Sequence, residues 1–148
     1  MSAINSYKKI LVAIDMSSEA QQVVQRAMEM ANCFDAKLQL IHVIEPVGLN
    51  TPYELTPSLP VNMESVLVER AEEFLTRLAN ELGLSEIPRT VHVGSIKQII
   101  LDTAQKNEID LIVTGTHGRH GLGLLLGSTA TSVLHGTPCD VYAVKIKE

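Results

Sequence analysis

Five short apolar segments alternate along the chain with longer segments whose apolar residues recur at helical spacing. The apolar segments cover residues 10–14, 36–43, 87–93, 109–114 and 139–146, and the helical segments begin near residues 18, 63, 95 and 128. Continuous apolar strands separated by amphipathic helices are typical of a parallel sheet covered by helices on both faces. We therefore predict an α/β fold with one doubly wound, five-stranded parallel sheet and four helices, in a single domain over residues 1–148.

Capping residues are predicted at three helix ends. Ser18 and Gln21 fit a capping box at the start of the first helix, and Ser95 has a glutamine, Gln98, three residues on at the start of the third. Gly83 follows the second helix at the position where glycine most often ends a helix.

The segment between the second strand and the second helix differs from the rest of the chain. Residues 45–61 contain four prolines and show no clear periodicity, so we predict a long loop. A structureless loop of this length is uncommon in a compact domain and often has a function.

Composition excludes several classes of partner and site. Aromatic residues make up 3% of the chain and the net charge is −5 without a basic cluster, so nucleic acid is not an expected partner. The N-terminus lacks the apolar core of a signal peptide, and no stretch has the pattern of a membrane span. Cys33 and Cys139 lack metal-binding spacing and are expected to be reduced. We therefore expect a cytoplasmic protein.

Glycines cluster in one short segment. Five of the nine glycines lie between Gly115 and Gly127, after the fourth apolar segment and before a predicted helix start near Ser128. Glycine lets backbone N–H groups approach a ligand closely, and a helix N-terminus adds unpaired amides and partial positive charge. This order of strand, glycine loop and helix start indicates a site for an anion, most naturally phosphate.

Three familiar nucleotide and phosphate signatures are absent from the sequence. No GxGxxG motif follows the first strand, and no GxxxxGK[ST] motif occurs anywhere, which excludes a dinucleotide fingerprint and a Walker-type site. A response regulator would need an acidic pair after the first strand and an aspartate after the third. This chain has a lone Asp15 after the first strand and Gly94 after the third.

Three segments together resemble the universal stress protein family, and the similarity covers essentially the whole chain. They are Val12-Ala-Ile-Asp15-Met-Ser17, Leu40-Ile-His-Val43 and Gly115-Thr-His-Gly118 with the later Gly127-Ser128-Thr129. Nucleotide-binding members carry the pattern G-2X-G-9X-G-[S/T], whereas eight residues separate Gly118 from Gly127 here. The shorter spacing resembles that of a branch whose best-known members have lost these glycines and do not bind ATP. Because the glycines are present in this chain, we favour retained binding.

The resemblance implies a Rossmann-like fold of the adenine-nucleotide alpha-hydrolase type, with strand order 3-2-1-4-5. It also implies an ATP or AMP site in the crevice between the first and fourth strands, with Mg²⁺ accompanying ATP. Ala13 and Asp15 would lie beside the adenosine, and the Val43 backbone would bond the adenine edge. The backbone amides of the glycine segment and two hydroxyl groups would hold the phosphates. The full candidate set is Ala13, Asp15, Ser17, Val43, Gly115, His117, Gly118, Arg119, Gly127, Ser128 and Thr129.

Structural interpretations compete with these roles. Asp15 and Ser17 are also suited to the start of the first helix, and His117 and Arg119 to a solvated loop. A metal site at His117 and His120 is not expected, since no further ligand pair is evident. The glycine segment itself could be a flexible connection that packs leucine side chains.

The last apolar segment predicts a partner. Val141, Tyr142, Ala143 and Val144 lie near the C-terminus, where an apolar edge strand favours pairing with another chain. Since family members also pair in this way, we predict a symmetric homodimer through this strand.

Three functions remain open from the sequence. We favour a stress-response protein that is not an enzyme and whose nucleotide occupancy changes its binding to an unknown client protein. The alternatives are a very slow ATPase and an interaction module that binds no nucleotide. For the ATPase, Asp15 and His117 are the only candidate bases for water.

Overall fold

The computed structural model describes residues 6–46, 61–116, 131 and 133–147, with side chains omitted at 61 and 62. The strands are β1 (Lys9–Ala13), β2 (Lys37–Ile44), β3 (Arg89–Val93), β4 (Leu111–Gly115) and β5 (Asp140–Val144). The helices are α1 (Ala20–Phe34), α2 (Val61–Glu81) and α3 (Ile96–Lys106). Residues 131, 133 and 134 are also helical; the rest of the predicted fourth helix, and most of the predicted loop at 45–61, lie outside the described residues.

The five strands form one parallel sheet in the order β3-β2-β1-β4-β5. In register across its centre, Ala13 of β1 pairs with Ile41 of β2 on one side and with Thr114 of β4 on the other. Both the parallel sheet and the strand order implied by the family resemblance are confirmed. The chain winds outward from β1 through β2 to β3 and then returns to the other side of β1 with β4. In open α/β sheets, such a reversal opens a crevice at the carboxyl ends of the two strands, which here are β1 and β4.

Two apolar layers cover the sheet, one on each face. Ile10 and Val12 of β1 pack in the layer that holds the buried residues of α1 and α2. Leu11 and Ala13 pack in the other layer, with Ile100 of α3. Because alternate side chains of β1 enter different layers and both layers exclude water, this strand is apolar at nearly every position.

Two of the three predicted helix caps are confirmed. Ser95 has extended backbone, and its hydroxyl accepts a 3.3 Å hydrogen bond from the Gln98 N–H at the start of α3. Gly83 has φ +73° after the end of α2. There the Leu84 N–H donates to the Ala79 carbonyl over 2.7 Å, which closes the helix end with a Schellman pattern.

The capping box predicted at Ser18 is wrong. Helix α1 begins at Ala20 with Glu19 at the N-cap, and the Glu19 side chain makes no capping hydrogen bond. Instead, the Ser17 carbonyl accepts from the Ala20 N–H over 3.2 Å, so a turn precedes the helix.

Candidate functional site

A cleft opens at the carboxyl ends of β1, β2 and β4, beside the first turns of α1 and α3. Its cavity volume is about 70 Å³, and the volume including the open mouth is about 580 Å³. The lining residues are Ala13, Ile14, Asp15, Ser17, Glu19, Ala20, Val23, Ile41, His42, Val43, Ile96, Ile100, Thr114, Gly115 and Ile146. Five residues of the sequence-predicted set, namely Ala13, Asp15, Ser17, Val43 and Gly115, therefore lie around one cleft.

Residue Ile14 is held to β2 at both of its backbone groups. Its N–H donates to the carbonyl of Ile41 over 3.1 Å, and its carbonyl accepts from Nδ1 of His42 over 2.8 Å. Since a carbonyl can only accept, His42 carries a proton on Nδ1. His42 is therefore a hydrogen-bonded structural residue, and this bond fixes the position from which Asp15 follows.

Asp15 and Ser17 form one hydrogen-bonded unit at the cleft. Oδ1 of Asp15 accepts from both the backbone N–H and the hydroxyl of Ser17, the N–H bond being 3.1 Å long. Both side chains are half-buried. Among the described residues, Oδ2 of Asp15 has no hydrogen-bond partner. Asp15 therefore does not cap α1, and at the cleft it presents a carboxylate oxygen that no described residue bonds.

Gly115 ends β4 at a point of close packing. A Cβ atom built there would lie 3.2 Å from Cγ2 of Val23 and 3.3 Å from Cδ1 of Ile146, which leaves almost no room for a side chain. Directly after it, the Thr116 N–H donates to the Val144 carbonyl over 2.8 Å. The Thr116 hydroxyl accepts from the Ile146 N–H over 3.2 Å. The start of the glycine segment is thus joined to the end of β5. The strand predicted at 139–146 is longer than β5, which ends at Val144. Beyond that end, the Ile146 N–H bonds the Thr116 side chain instead of a neighbouring strand.

Sequence reasoning missed several cleft residues. Thr114 is buried at the end of β4 and is the buried polar residue within the described part of the core. Ile96 and Ile100 reach the cleft from α3, and Ile146 reaches it from beyond β5. The isoleucines carry no sequence signal that separates them from core residues, whereas Thr114 is a polar residue ending an otherwise apolar segment.

A sequence model described as the universal stress protein family matches residues 6–145 of the chain. The chain belongs to the universal stress protein family. Over 146 residues it is 40% identical to universal stress protein A homolog 2 of Coxiella burnetii, an alignment that covers 97% of this chain and 99% of that protein. The resemblance stated from the sequence is confirmed.

Solved structures agree on the fold of this universal stress protein. The hypothetical protein MJ0577, subject of a structure-based assignment of biochemical function, has a TM-score of 0.79 at 25% identity, covering 97% of this chain and 99% of that one. A universal stress protein crystallised in complex with cAMP has a TM-score of 0.62 at 22% identity, covering 95% and 98%. Both support the Rossmann-like α/β architecture.

The remaining predicted site residues of this universal stress protein lie outside the described residues. They are His117, Gly118, Arg119, Gly127, Ser128 and Thr129. Their part in phosphate binding therefore remains a prediction from the sequence. The first three of them follow Gly115 and Thr116 directly in the chain, and Gly115 lines the cleft.

Within the described residues, neither a metal-binding group nor a membrane-spanning helix is found. In that part of the chain, no three His, Cys, Asp or Glu side chains come together as a metal-binding group. None of the described helices combines the length and the apolar character needed to cross a membrane.

Proposed function

We propose that this universal stress protein binds an adenine nucleotide, ATP or AMP, in the cleft at the carboxyl ends of β1, β2 and β4. The observation that carries the proposal is the convergence of Ala13, Asp15, Ser17, Val43 and Gly115 on one cleft. Ala13, Val43 and Gly115 lie near the ends of three strands that are distant in sequence, and Asp15 and Ser17 follow the first of them. They meet at the position where α/β sheets of this order bind ligands.

The described walls suit the nucleoside part of such a ligand. Ala13 and Val43 are buried apolar residues at the ends of adjacent strands, and an apolar wall favours the flat face of a base. Oδ2 of Asp15 has no partner among the described residues and suits a ribose hydroxyl donor. The cavity of about 70 Å³ is smaller than a nucleotide, so the ligand would occupy the open mouth as well.

The phosphates would lie toward the glycine segment. The described lining of the cleft contains Asp15 and Glu19 but no lysine or arginine, so it does not attract an anion. Backbone amides of Gly118, Gly127 and Ser128, with the hydroxyls of Ser128 and Thr129, are the proposed phosphate donors. Mg²⁺ would accompany ATP and be held mainly by its phosphates and water, since such ions are commonly bound with few protein carboxylates.

A relative supports the class of ligand. The solved universal stress protein in complex with cAMP shares the fold and holds an adenine nucleotide. Carried over to this chain, that class of ligand agrees with the cleft geometry and with the glycine pattern that follows β4.

The proposed role is regulation in the cytoplasm rather than catalysis. A bound nucleotide changes the partner preference of a protein only when it has different affinities for two states, and the client of this chain would be a protein. The assembly proposed is a homodimer through β5. Val141, Tyr142 and Ala143 of that strand are half-exposed, and β5 pairs only with β4 within the described part of the chain.

One alternative function is favoured by a specific observation. The spacing of eight residues between Gly118 and Gly127 is one short of the nucleotide-binding pattern, which favours an interaction module that binds no nucleotide. For a slow ATPase, the described cleft offers Asp15 as a base for water through its Oδ2, since Oδ1 accepts from Ser17.

Mass spectrometry of the natively purified protein tests the proposal. We expect ATP, ADP or AMP to co-purify with the wild-type chain, and to be absent from Gly118→Val and Gly127→Val because the added side chain occupies the approach to the phosphates. A wild-type preparation with no nucleotide would favour the interaction module. Turnover assays on wild type and Asp15→Asn address the ATPase, since equal trace activity in both would indicate contamination.

A further inference from the structure

We propose that the hydroxyl of Thr114 is a hydrogen-bonding group for the purine base of the ligand, at the floor of the cleft. This inference rests on the proposed function and deepens it by assigning a contact to a residue outside the predicted site set. Thr114 would act as a specificity-determining residue that reads the polar edge of the base.

Burial and bonding single out this hydroxyl. Thr114 is 3% exposed and lines the cleft. Within the described residues its Oγ1 neither donates nor accepts a hydrogen bond, although its backbone is paired on both sides of β4. A buried polar group without a partner is destabilising. A ligand that bonds this hydroxyl would supply the partner that the described residues do not, and would remove this penalty on binding.

The sheet register fixes what surrounds Thr114. Ile41, Ala13 and Thr114 are paired across β2, β1 and β4, and residues paired in a parallel sheet point to the same face. Ile41 and Ala13 belong to the apolar layer that includes Ile100 of α3. Across the three central strands the hydroxyl is therefore the polar member of the row, which Thr90 continues on the edge strand β3, and the small Ala13 side chain lies beside it.

This environment selects the base rather than the phosphates. An anion placed against Ile41, Ala13 and Ile100 would lose its hydration without gaining a cation. A flat heterocycle gains apolar contact there, and the Thr114 hydroxyl would be a further partner for its polar groups beside the Val43 backbone. A threonine hydroxyl can donate or accept, so it can serve either kind of group on that edge.

The test compares Thr114→Val with wild type by isothermal titration with ATP and, separately, with AMP. We expect the valine variant to lose ~3–10-fold in affinity for each nucleotide, by the same factor, because both carry the base. Thr114→Ser keeps the hydroxyl and should remain within about twofold of wild type. Thr90→Val, an exposed position on β3, is the matched control and should bind as wild type does.

Three results would overturn the inference. The first is an affinity of Thr114→Val for both nucleotides equal to that of wild type. The second is a loss of affinity for ATP but not for AMP. The third is a urea unfolding midpoint of ligand-free Thr114→Val that is lower than that of ligand-free wild type. The last would show that the hydroxyl is satisfied within the protein. If wild type binds neither nucleotide, the proposed function itself fails and this inference with it. Normal wild-type binding with an unaffected Thr114→Val overturns only the role of Thr114.

Discussion

At the scale of single residues, side-chain hydrogen bonds fix the chain that follows β1. One of these side chains lies on β2, and the other lies just after β1. His42 holds the Ile14 carbonyl, and Ser17 holds Oδ1 of Asp15. The sequence indicated that Asp15 and His42 lie at strand ends, because both follow or close apolar segments. It could not distinguish a carboxylate that caps a helix from one bound by Ser17, since either arrangement needs the same residue types at nearly the same spacing.

The His42 bond leads to a stability prediction. His42→Ala should lower the free energy of unfolding by about 1–2 kcal/mol, because the Ile14 carbonyl at the cleft loses its side-chain donor. His92→Ala is the matched control. His92 contacts the Thr90 hydroxyl over 3.2 Å on the edge strand β3, so its loss should cost less than about 0.5 kcal/mol. Urea unfolding of both variants measures the difference, and equal effects would contradict the structural role of His42.

The two cysteines should differ in reactivity. Burial raises the pKa of the Cys139 thiol, and a hydrogen bond with Thr137 offsets part of that rise, whereas Cys33 is exposed. Because the thiolate is the reactive form, a raised pKa leaves less of it at any pH below that value. We therefore expect iodoacetamide to label Cys33 first at pH 8, with Cys139 labelling increasing only at higher pH. Peptide mass spectrometry measures both sites, and equal labelling rates in the folded protein would contradict the prediction.

At the scale of elements, the starts of α3 and α1 differ in what determines them. Local sequence determines the start of α3, whereas tertiary contacts contribute at the start of α1. Ser95 and Ser18 each have a glutamine three residues on, yet only Ser95 caps a helix in the structure. At α3, the preceding strand leads straight into the cap. At α1, hydrogen bonds from His42 and Ser17 hold Ile14 and Asp15 before the helix, and the N-cap is Glu19, one residue later than the pattern predicts. The strands were predicted more reliably, because β1 and β4 are apolar on both faces.

This contrast gives a paired test of helix capping. Ser95→Ala should lower the free energy of unfolding by about 1 kcal/mol, since the Gln98 N–H loses its acceptor at the start of α3. Ser18→Ala should change it by less than about 0.5 kcal/mol, because Ser18 is exposed and caps no helix. Chemical denaturation compares the two, and a larger loss for Ser18→Ala would restore the capping box at α1.

At the scale of the whole molecule, the order of strands brings the site together. Ala13, Val43 and Gly115 come from three separate strands, and the reversal between β1 and β4 makes their carboxyl ends adjacent. The periodicity of the sequence predicted the parallel sheet, and the family resemblance supplied the strand order. Contacts such as Ile146 and Thr114 at the cleft depend on packing and on register, which no local pattern encodes.

The free edge of β5 leads to a prediction of assembly. We expect a dimer in solution, because the half-exposed Val141, Tyr142 and Ala143 lie on a strand whose outer edge has no pairing strand among the described residues. Size-exclusion chromatography with light scattering should give twice the chain mass of 16.1 kDa. A monomer across the accessible concentration range would contradict pairing through β5.

Isothermal titration of the nucleotide-free protein with ATP in the presence of Mg²⁺ is the most direct test of the central claim. A cleft formed by Asp15, Val43 and Gly115 next to the glycine segment predicts saturable binding of one nucleotide per chain. It also predicts competition by AMP, since the nucleoside part is common to both. Absence of saturable binding at millimolar ATP would contradict the nucleotide site and leave a universal stress protein that acts through its surfaces alone.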